Sequence, residues 1–300
     1  MLDLRRLRLL SELARRGTIA EVASVVGYTP SAVSQSLAQL EREVGVALLE
    51  RDGRRVRLTP AAHGLVARTA RVLAELDAAE AELAAEHETV RGSVVIGTFP
   101  SAAAALVVPA VAELSERHPH LSFSIREHEP EDGIPLLRSG ELDLLVSERY
   151  DHVDPGPTGG LETHSLTSEP LLLVLPAGDP SREPVALETL SEAPWIAGLA
   201  GTQFAAALEQ ACRSAGFSPR IVHRADDADL LQTLVGAGLG VALLPALACS
   251  GSAEVRFAEA IPPPPRRHLS VLVRRGAASR PALAATLDAL IRRASAARPA

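Results

Sequence analysis

Between Thr18 and Thr59 the chain punctuates its helices three times, and the spacing of those marks leaves few folds open. Thr18-Ile19-Ala20-Glu21 is a capping box: the Thr18 hydroxyl accepts from the Glu21 N–H while the Glu21 carboxylate accepts from the Thr18 N–H. The helix it opens is expected to stop at Gly27, a residue that takes the left-handed conformation without a Cβ penalty. Thr29-Pro30 restarts the chain, with Thr29 as N-cap and Pro30 in the first turn, where a missing N–H leaves nothing unpaired. The second helix carries Val33, Leu37, Leu40 and Val44 on one face, turns Ser34 and Gln35 outward, and runs out at Gly45. Two short helices around a tight turn form the unit that lays its second helix in a DNA major groove.

The flanks extend the pattern. Leu4, Leu7, Leu10 and Leu13 stripe a preceding helix that Asp3 can cap and Gly17 can end. After Gly45, Leu48–Arg51 and Val56–Thr59 read as two short strands turning at Asp52-Gly53, a hairpin or wing. Arg51, Arg54, Arg55 and Arg57 decorate it where a phosphate backbone passes, and Thr29, Pro30, Ser31, Ser34 and Gln35 occupy the end of the second helix that meets base edges. A plain three-helix bundle with a solvated basic loop shares parts of this pattern but not its order.

Residues 3–62 resemble, without gaps, the N-terminal winged helix-turn-helix of LysR-type transcriptional regulators. The resemblance rests on Asp3-Leu4…Leu7, Gly17-Thr18, Ala23, Ser31-Ala32-Val33-Ser34-Gln35, Leu40-Glu41, Val44-Gly45-Val46, Leu48–Arg51 and Gly53–Ala61. Leu10 and Leu49 stand where the family usually has Phe, Ala62 where it has Gly, and Val22 in place of the first of an Ala pair. Gln35 replaces a frequent Arg, which exchanges a charge for a neutral two-way hydrogen bonder and bears on base preference. The resemblance implies a homodimer or homotetramer, double-stranded promoter DNA and RNA polymerase as partners, and a small-molecule effector.

Charge divides accordingly. Up to Pro60 ten arginines face seven acids, a surplus of three, whereas the whole chain carries −7; the rest therefore carries −10. An acidic body repels DNA everywhere except at the basic head. No run of about twenty apolar residues provides a membrane span. The N-terminus enters a capped helix instead of a signal-peptide core, so a cytoplasmic location is expected. Cys212 and Cys249 lack the number and spacing of a disulfide framework or metal site.

Thr59-Pro60 repeats the cap-then-proline signature and opens a long helix to about Glu88. Leu65, Thr69, Val72, Leu76, Ala79 and Leu83 step by fours and threes, a heptad seam expected to pair two chains; packing on its own domain is the alternative. From Gly92 to Ser147, and again from Trp195 to Leu244, the chain reads strand, helix, strand, helix, strand. Two α/β lobes with mostly parallel sheets follow. The extra strands Pro170–Pro176 and Leu269–Val273, and a final helix Pro281–Arg293, suggest that the chain crosses to the second lobe near Ser165–Glu169 and returns near Arg267–Leu269. The expected organisation is a winged helix-turn-helix over 1–59, a linker and dimerisation helix over 60–89, and a two-lobed, type-2 periplasmic-binding-protein-like α/β effector domain over 90–300. Lobe I covers 90–166 and 269–300, and lobe II covers 167–268. Glu169–Pro176 and Leu234–Pro245 carry a further likeness to the LysR-type effector domain.

Ligands of such folds bind at strand C-termini, where helix N-termini offer free N–H groups. Lobe I supplies Thr98, Phe99, Pro100, Ser101 and Glu148, and lobe II supplies Gly201, Thr202, Gln203 and Asp226. The expected effector is a small carboxylate, an amino acid among the choices, with its anion near Ser101 and Thr202 and an amino group near Glu148 and Asp226. Each hydroxyl at a helix start also has the plainer reading of a cap. No catalytic residues, metal ligands or cofactor are expected: nucleophile elbow, Walker loop and His-Glu-x-x-His helix are all missing from the sequence. His118 and His120 flank a helix end and read as solvated. An enzyme or solute carrier on the same two lobes, or a DNA-binding protein with an empty crevice, are the competing readings.

Overall fold

The computed structural model describes residues 2–26, 28–52, 55–69, 72, 90–151, 160–249 and 251–296. The head consists of α1 (Leu4–Arg16), α2 (Ile19–Val26), α3 (Pro30–Val44), the hairpin β1 (Leu49–Asp52) and β2 (Arg55–Leu58), and a further helix, α4, over 60–69. Its caps are those the sequence signals. Asp3 accepts from the Arg5 N–H at 2.8 Å, Thr18 from Glu21 at 3.3 Å, Thr29 from Ala32 at 3.2 Å and Thr59 from Ala62 at 3.2 Å. Gly45 ends α3 at φ 71°, in the left-handed region. Leu7, Leu10 and Leu13 of α1 pack on Val22, Val33, Leu37, Leu40 and Leu48 to close the core. Gly27, the expected stop of α2, and Gly53 of the expected Asp52-Gly53 turn lie outside the described residues.

The body holds two groups of strands. The first is a five-stranded sheet of β3 (Gly92–Thr98), β4 (Leu121–Glu127), β5 (Leu144–Tyr150), β6 (Leu161–Glu169) and β14 (Arg267–Arg274), ordered β4-β3-β5-β14-β6. One face is covered by α6 (Val108–Arg117) and α10 (Pro281–Ala296), the other by α7 (Pro130–Ser139). Between α5 (Pro100–Ala102) and α6 the helix widens into a π segment at Ala103–Val107. Pro109 explains it: the proline has no N–H to give Ala105, and its ring would strike that carbonyl in a regular helix.

The second group centres on β7 (Leu171–Pro176), paired antiparallel with β11 (Ala242–Pro245) and β12 (Val255–Ala258). Parallel strands β9 (Pro194–Ala197) and β10 (Arg220–Arg224) join it where the Ile196 N–H donates to the Val241 carbonyl at 2.9 Å. A short parallel ribbon pairs β8 (Val185–Ala186) with β13 (Ala260–Ile261). Helices α8 (Gln203–Ser214) and α9 (Ala228–Gly236) pack on either side, with Trp195 fully buried beneath α8.

Three expectations change. The sheets are mixed, not mostly parallel, because β14 runs antiparallel to both β5 and β6. The segment expected to cross between lobes near Ser165 is itself strand β6, paired to β14 as far as Glu169, so the chain leaves this sheet only at Pro170. The strand expected at Leu142–Val146 runs instead from Leu144 to Tyr150, which places Glu148 within it and not after it.

Candidate DNA interface and effector crevice

Helix α3 buries Val33, Leu37 and Leu40 and leaves Thr29, Pro30, Ser31, Ser34 and Gln35 exposed along its N-terminal half. Tyr28, half exposed beside the cap, adds an aromatic to that face that the sequence reading passed over. Glu41 was missed as well. Its Oε1 accepts from the Leu48 and Leu49 N–H groups at 2.8 and 3.0 Å, tying the end of α3 to the first wing strand. Arg57 is exposed on β2, while Arg51 and Arg55 are fixed by strand pairing with Val56 and Asp52. Arg54 lies outside the described residues.

Along the expected dimer seam, Leu65 packs on the head's own core. Thr69 is buried and donates to the Leu65 carbonyl at 2.9 Å. Val72 is exposed, and Leu76, Ala79 and Leu83 lie outside the described residues.

The crevice lies between the two strand groups. A cavity of about 60 Å³ is walled on one side by Phe99, Pro100, Ser101, Glu129, Glu131, Glu148 and Tyr150, and on the other by Thr202, Gln203, Phe204, Asp226, Leu244 and Pro245. It shares Glu131, Glu148 and Gln203 with a larger neighbouring cavity of about 670 Å³. Thr202 shapes the lobe II wall: its hydroxyl accepts from the Ala205 N–H at 3.2 Å and donates to the Leu199 carbonyl at 2.9 Å. Asp226 accepts from the Leu199 N–H at 2.8 Å. Only glycine serves at 198 in this arrangement, since a Cβ there would come within 2.7 Å of Phe204 and 3.0 Å of Asp226.

At the crevice floor stands Arg267, only 3% exposed. Its Nε donates to Glu169 at 2.8 Å, and its Nη1 donates to Glu148 at 3.0 Å and to Ser101 at 3.1 Å. The guanidinium also lies over the Phe99 ring, 5.3 Å from its centroid. Burial disfavours its charge, but Glu148, Tyr150 and Glu169 outweigh that and raise its pKa. Glu148 accepts a further bond from the Tyr150 hydroxyl at 3.1 Å, yet burial still pushes its carboxyl up. Glu129 is raised to about 7, first by burial and then by the charges of Glu148 and Asp226.

Of the nine residues expected to meet an effector, Phe99, Pro100, Ser101, Glu148, Thr202, Gln203 and Asp226 line this cavity. Thr98 does not: it is buried, sharing the core face of β3 with Val94 and Ile96, and its hydroxyl donates to the Phe99 carbonyl at 3.3 Å. Gly201 lines only the larger neighbour. Arg267, Glu129, Glu131 and Tyr150 were missed. Glu129 and Glu131 carried a legible signal, since they follow the C-terminus of β4, where ligands of this fold are met. Among the described residues, four carboxylates and one guanidinium line the cavity in which an anionic group was expected at Ser101 and Thr202.

Comparison with known proteins agrees with this architecture. Residues 4–63 match the family described as bacterial regulatory helix-turn-helix protein, lysR family, and residues 87–295 match the LysR substrate binding domain. The transcriptional dual regulator GltC of Bacillus subtilis is 29% identical over 266 residues, covering 87% of this chain and 84% of the relative. A probable hydrogen peroxide-inducible genes activator of Streptomyces viridosporus is 33% identical over 288 residues, covering 92% and 89%. Among solved structures, full-length OxyR from Pseudomonas aeruginosa superposes with a TM-score of 0.75 at 22% identity, covering 97% of this chain and 95% of that one. CbnR bound to its target DNA gives 0.54 at 21% identity, covering 98% and 100%.

Proposed function

The chain belongs to the LysR family of bacterial regulators, and from that premise we propose how its two ends divide the work. It is a DNA-binding transcriptional regulator with an effector-binding domain. In our reading, α3 enters the major groove with Ser31, Ser34 and Gln35 at base edges, while Arg51, Arg54, Arg55 and Arg57 hold phosphate from the wing. The exposure of that polar face, opposite the buried Val33, Leu37 and Leu40, is the observation that carries this.

Two chains pair through the linker helix beyond Thr69, with Val72, Leu76, Ala79 and Leu83 as the seam, and present two α3 helices to an interrupted palindrome. Tetramer formation through the bodies and contact with RNA polymerase complete the assembly. The regulator acts in the cytoplasm and performs no chemistry on its ligand. Among the described residues no helix is long and apolar enough to cross a membrane.

The effector is a small molecule held between the lobes by residues from both. Several relatives are named as hydrogen peroxide-inducible activators, but the thiols here argue for ligand binding instead of oxidation. A redox-sensing cysteine is exposed and holds a low pKa. Cys212 is buried and Cys249 partly so, and burial pushes each thiol up to about 12.

Footprinting of the purified protein on its own promoter tests the DNA half, with protection of paired half-sites about one helical turn apart as the expected result. Equal affinity for that promoter and for random duplex refutes it.

A further inference from the structure

We propose that the crevice selects a cationic effector, an ammonium- or guanidinium-bearing metabolite held between acids contributed by both lobes. This rests on the reading of the crevice as the effector site; the acids determine only the sign of what enters it. Glu129, Glu131 and Glu148 approach from lobe I and Asp226 from lobe II. Arg267, the one guanidinium in the wall among the described residues, is buried and already engaged by Glu148, Glu169 and Ser101, so it has no charge left over for the others. Glu169, fully buried behind it, adds another acid to the floor.

Glu129 is the open position. It is half-buried in the wall, and its carboxylate has no hydrogen-bond or ion-pair partner among the described residues. The four strongest charges acting on it come from Glu148 on β5, Asp226 after β10, Glu131 on α7 and Glu127 on β4, and every one is an acid. A carboxylate so placed gains most from a cation that displaces solvent and offsets its neighbours. Phe99, Phe204, Leu244 and Pro245 supply the apolar wall for a short alkyl chain.

Proton linkage gives the test its sign. Because the Glu129 carboxyl sits at about 7, much of it is protonated near neutrality, and a cation binds the ionised form. Cation affinity therefore falls as pH falls, by about tenfold between about pH 8 and pH 6, while a carboxylate ligand shows the opposite trend.

Calorimetry on the full chain with 1,4-diaminobutane, agmatine and L-lysine, each paired with succinate or glutarate as a charge-reversed control, reads this directly. At least one amine is expected to bind at least tenfold tighter than its control and to weaken about tenfold over that pH range. Glu129→Gln should weaken it and flatten the pH dependence. Should none of the amines bind, or the dicarboxylates bind better and gain from Glu129→Gln, the ligand class is wrong while the crevice reading stands. An amine whose affinity ignores both Glu129→Gln and Asp226→Asn binds elsewhere, and the crevice reading then falls with the proposal.

Discussion

Arg267→Met removes the cation that sits between two buried carboxylates, and its consequences can be worked from the structure. Glu169 is fully buried, and Glu148 is 9% exposed. The variant keeps the bulk of the side chain, so the loss is mainly electrostatic. Glu169 retains the Leu247 N–H at 2.6 Å and Glu148 retains the Tyr150 hydroxyl at 3.1 Å, but among the described residues neither keeps a countercharge. Breaking one side of a buried ion pair costs about 3–5 kcal/mol. For a body of this size each kcal/mol moves Tm by about 2–4 °C, so the expected drop is roughly 6–20 °C.

The cost depends on pH in a definite direction. Without Arg267 the burial that already raises Glu148 acts unopposed, and the folded state holds its carboxyl pKa further above the unfolded value. Below the unfolded pKa both states are protonated and the penalty vanishes. Above it the Glu148 penalty grows by up to about 1.4 kcal/mol per pH unit until the folded pKa is passed. Calorimetric melting of wild type and variant should thus show a wide gap near neutral pH that narrows towards about pH 4.5. The double variant Arg267→Met/Glu169→Gln should recover part of the loss at neutral pH. A Tm within about 2 °C of wild type at neutral pH, or a gap equally wide at both values, would refute the assignment of Arg267 as the countercharge of the crevice floor.

Three further outcomes are expected. Glu41→Ala leaves the Leu48 and Leu49 N–H groups without their acceptor, which should destabilise the head by about 2–4 kcal/mol and weaken operator binding; unchanged melting of the head would show that water replaces the carboxylate. Arg57→Ala should weaken binding to all duplexes and reduce the salt slope by about 0.9, whereas Gln35→Ala should alter base preference at fixed slope; the reverse pattern in a salt series would exchange their roles. Leu76→Asp places a charge in the proposed seam and should cost several kcal/mol of dimer stability, so a variant still dimeric by light scattering would mean the seam lies elsewhere.

How much of this was legible in the sequence depends on the range of the forces involved. The head was readable because its determinants are local: Asp3, Thr18, Thr29 and Thr59 each bond an N–H two or three residues ahead. Helices of the body were placed within a few residues for the same reason. Strand β6 escaped because Leu161-Glu162-Thr163-His164-Ser165-Leu166 is too polar to announce a strand, and its place is set by β14 about a hundred residues later. Thr98 was misread although its strand parity with Val94 and Ile96 pointed to the core. The Arg267 network could not be read at all, since its partners lie 98, 119 and 166 positions away and no local pattern links them.

That network also explains how occupancy of the crevice can reach the rest of the molecule. Glu169 ends β6 and Arg267 begins β14, so the two carry the chain's crossings between the strand groups. Arg267 reaches Ser101 and Glu148 on the lobe I side, and Glu169 receives the Leu247 N–H from the lobe II side. Lobe position is therefore tied to one buried cluster of charges. Asp226 faces the acids of lobe I across the crevice, and on the proposed reading a cation between them reverses the sign of that interaction. At about 4 Å and an effective dielectric near 20, one such contact is worth about 4 kcal/mol before desolvation. Inverting a two-state population from 1:99 to 99:1 needs about 5.5 kcal/mol of differential affinity. Two carboxylates from opposite lobes acting on one cation are enough to approach that figure, and a ligand touching a single lobe is not, however tightly it binds.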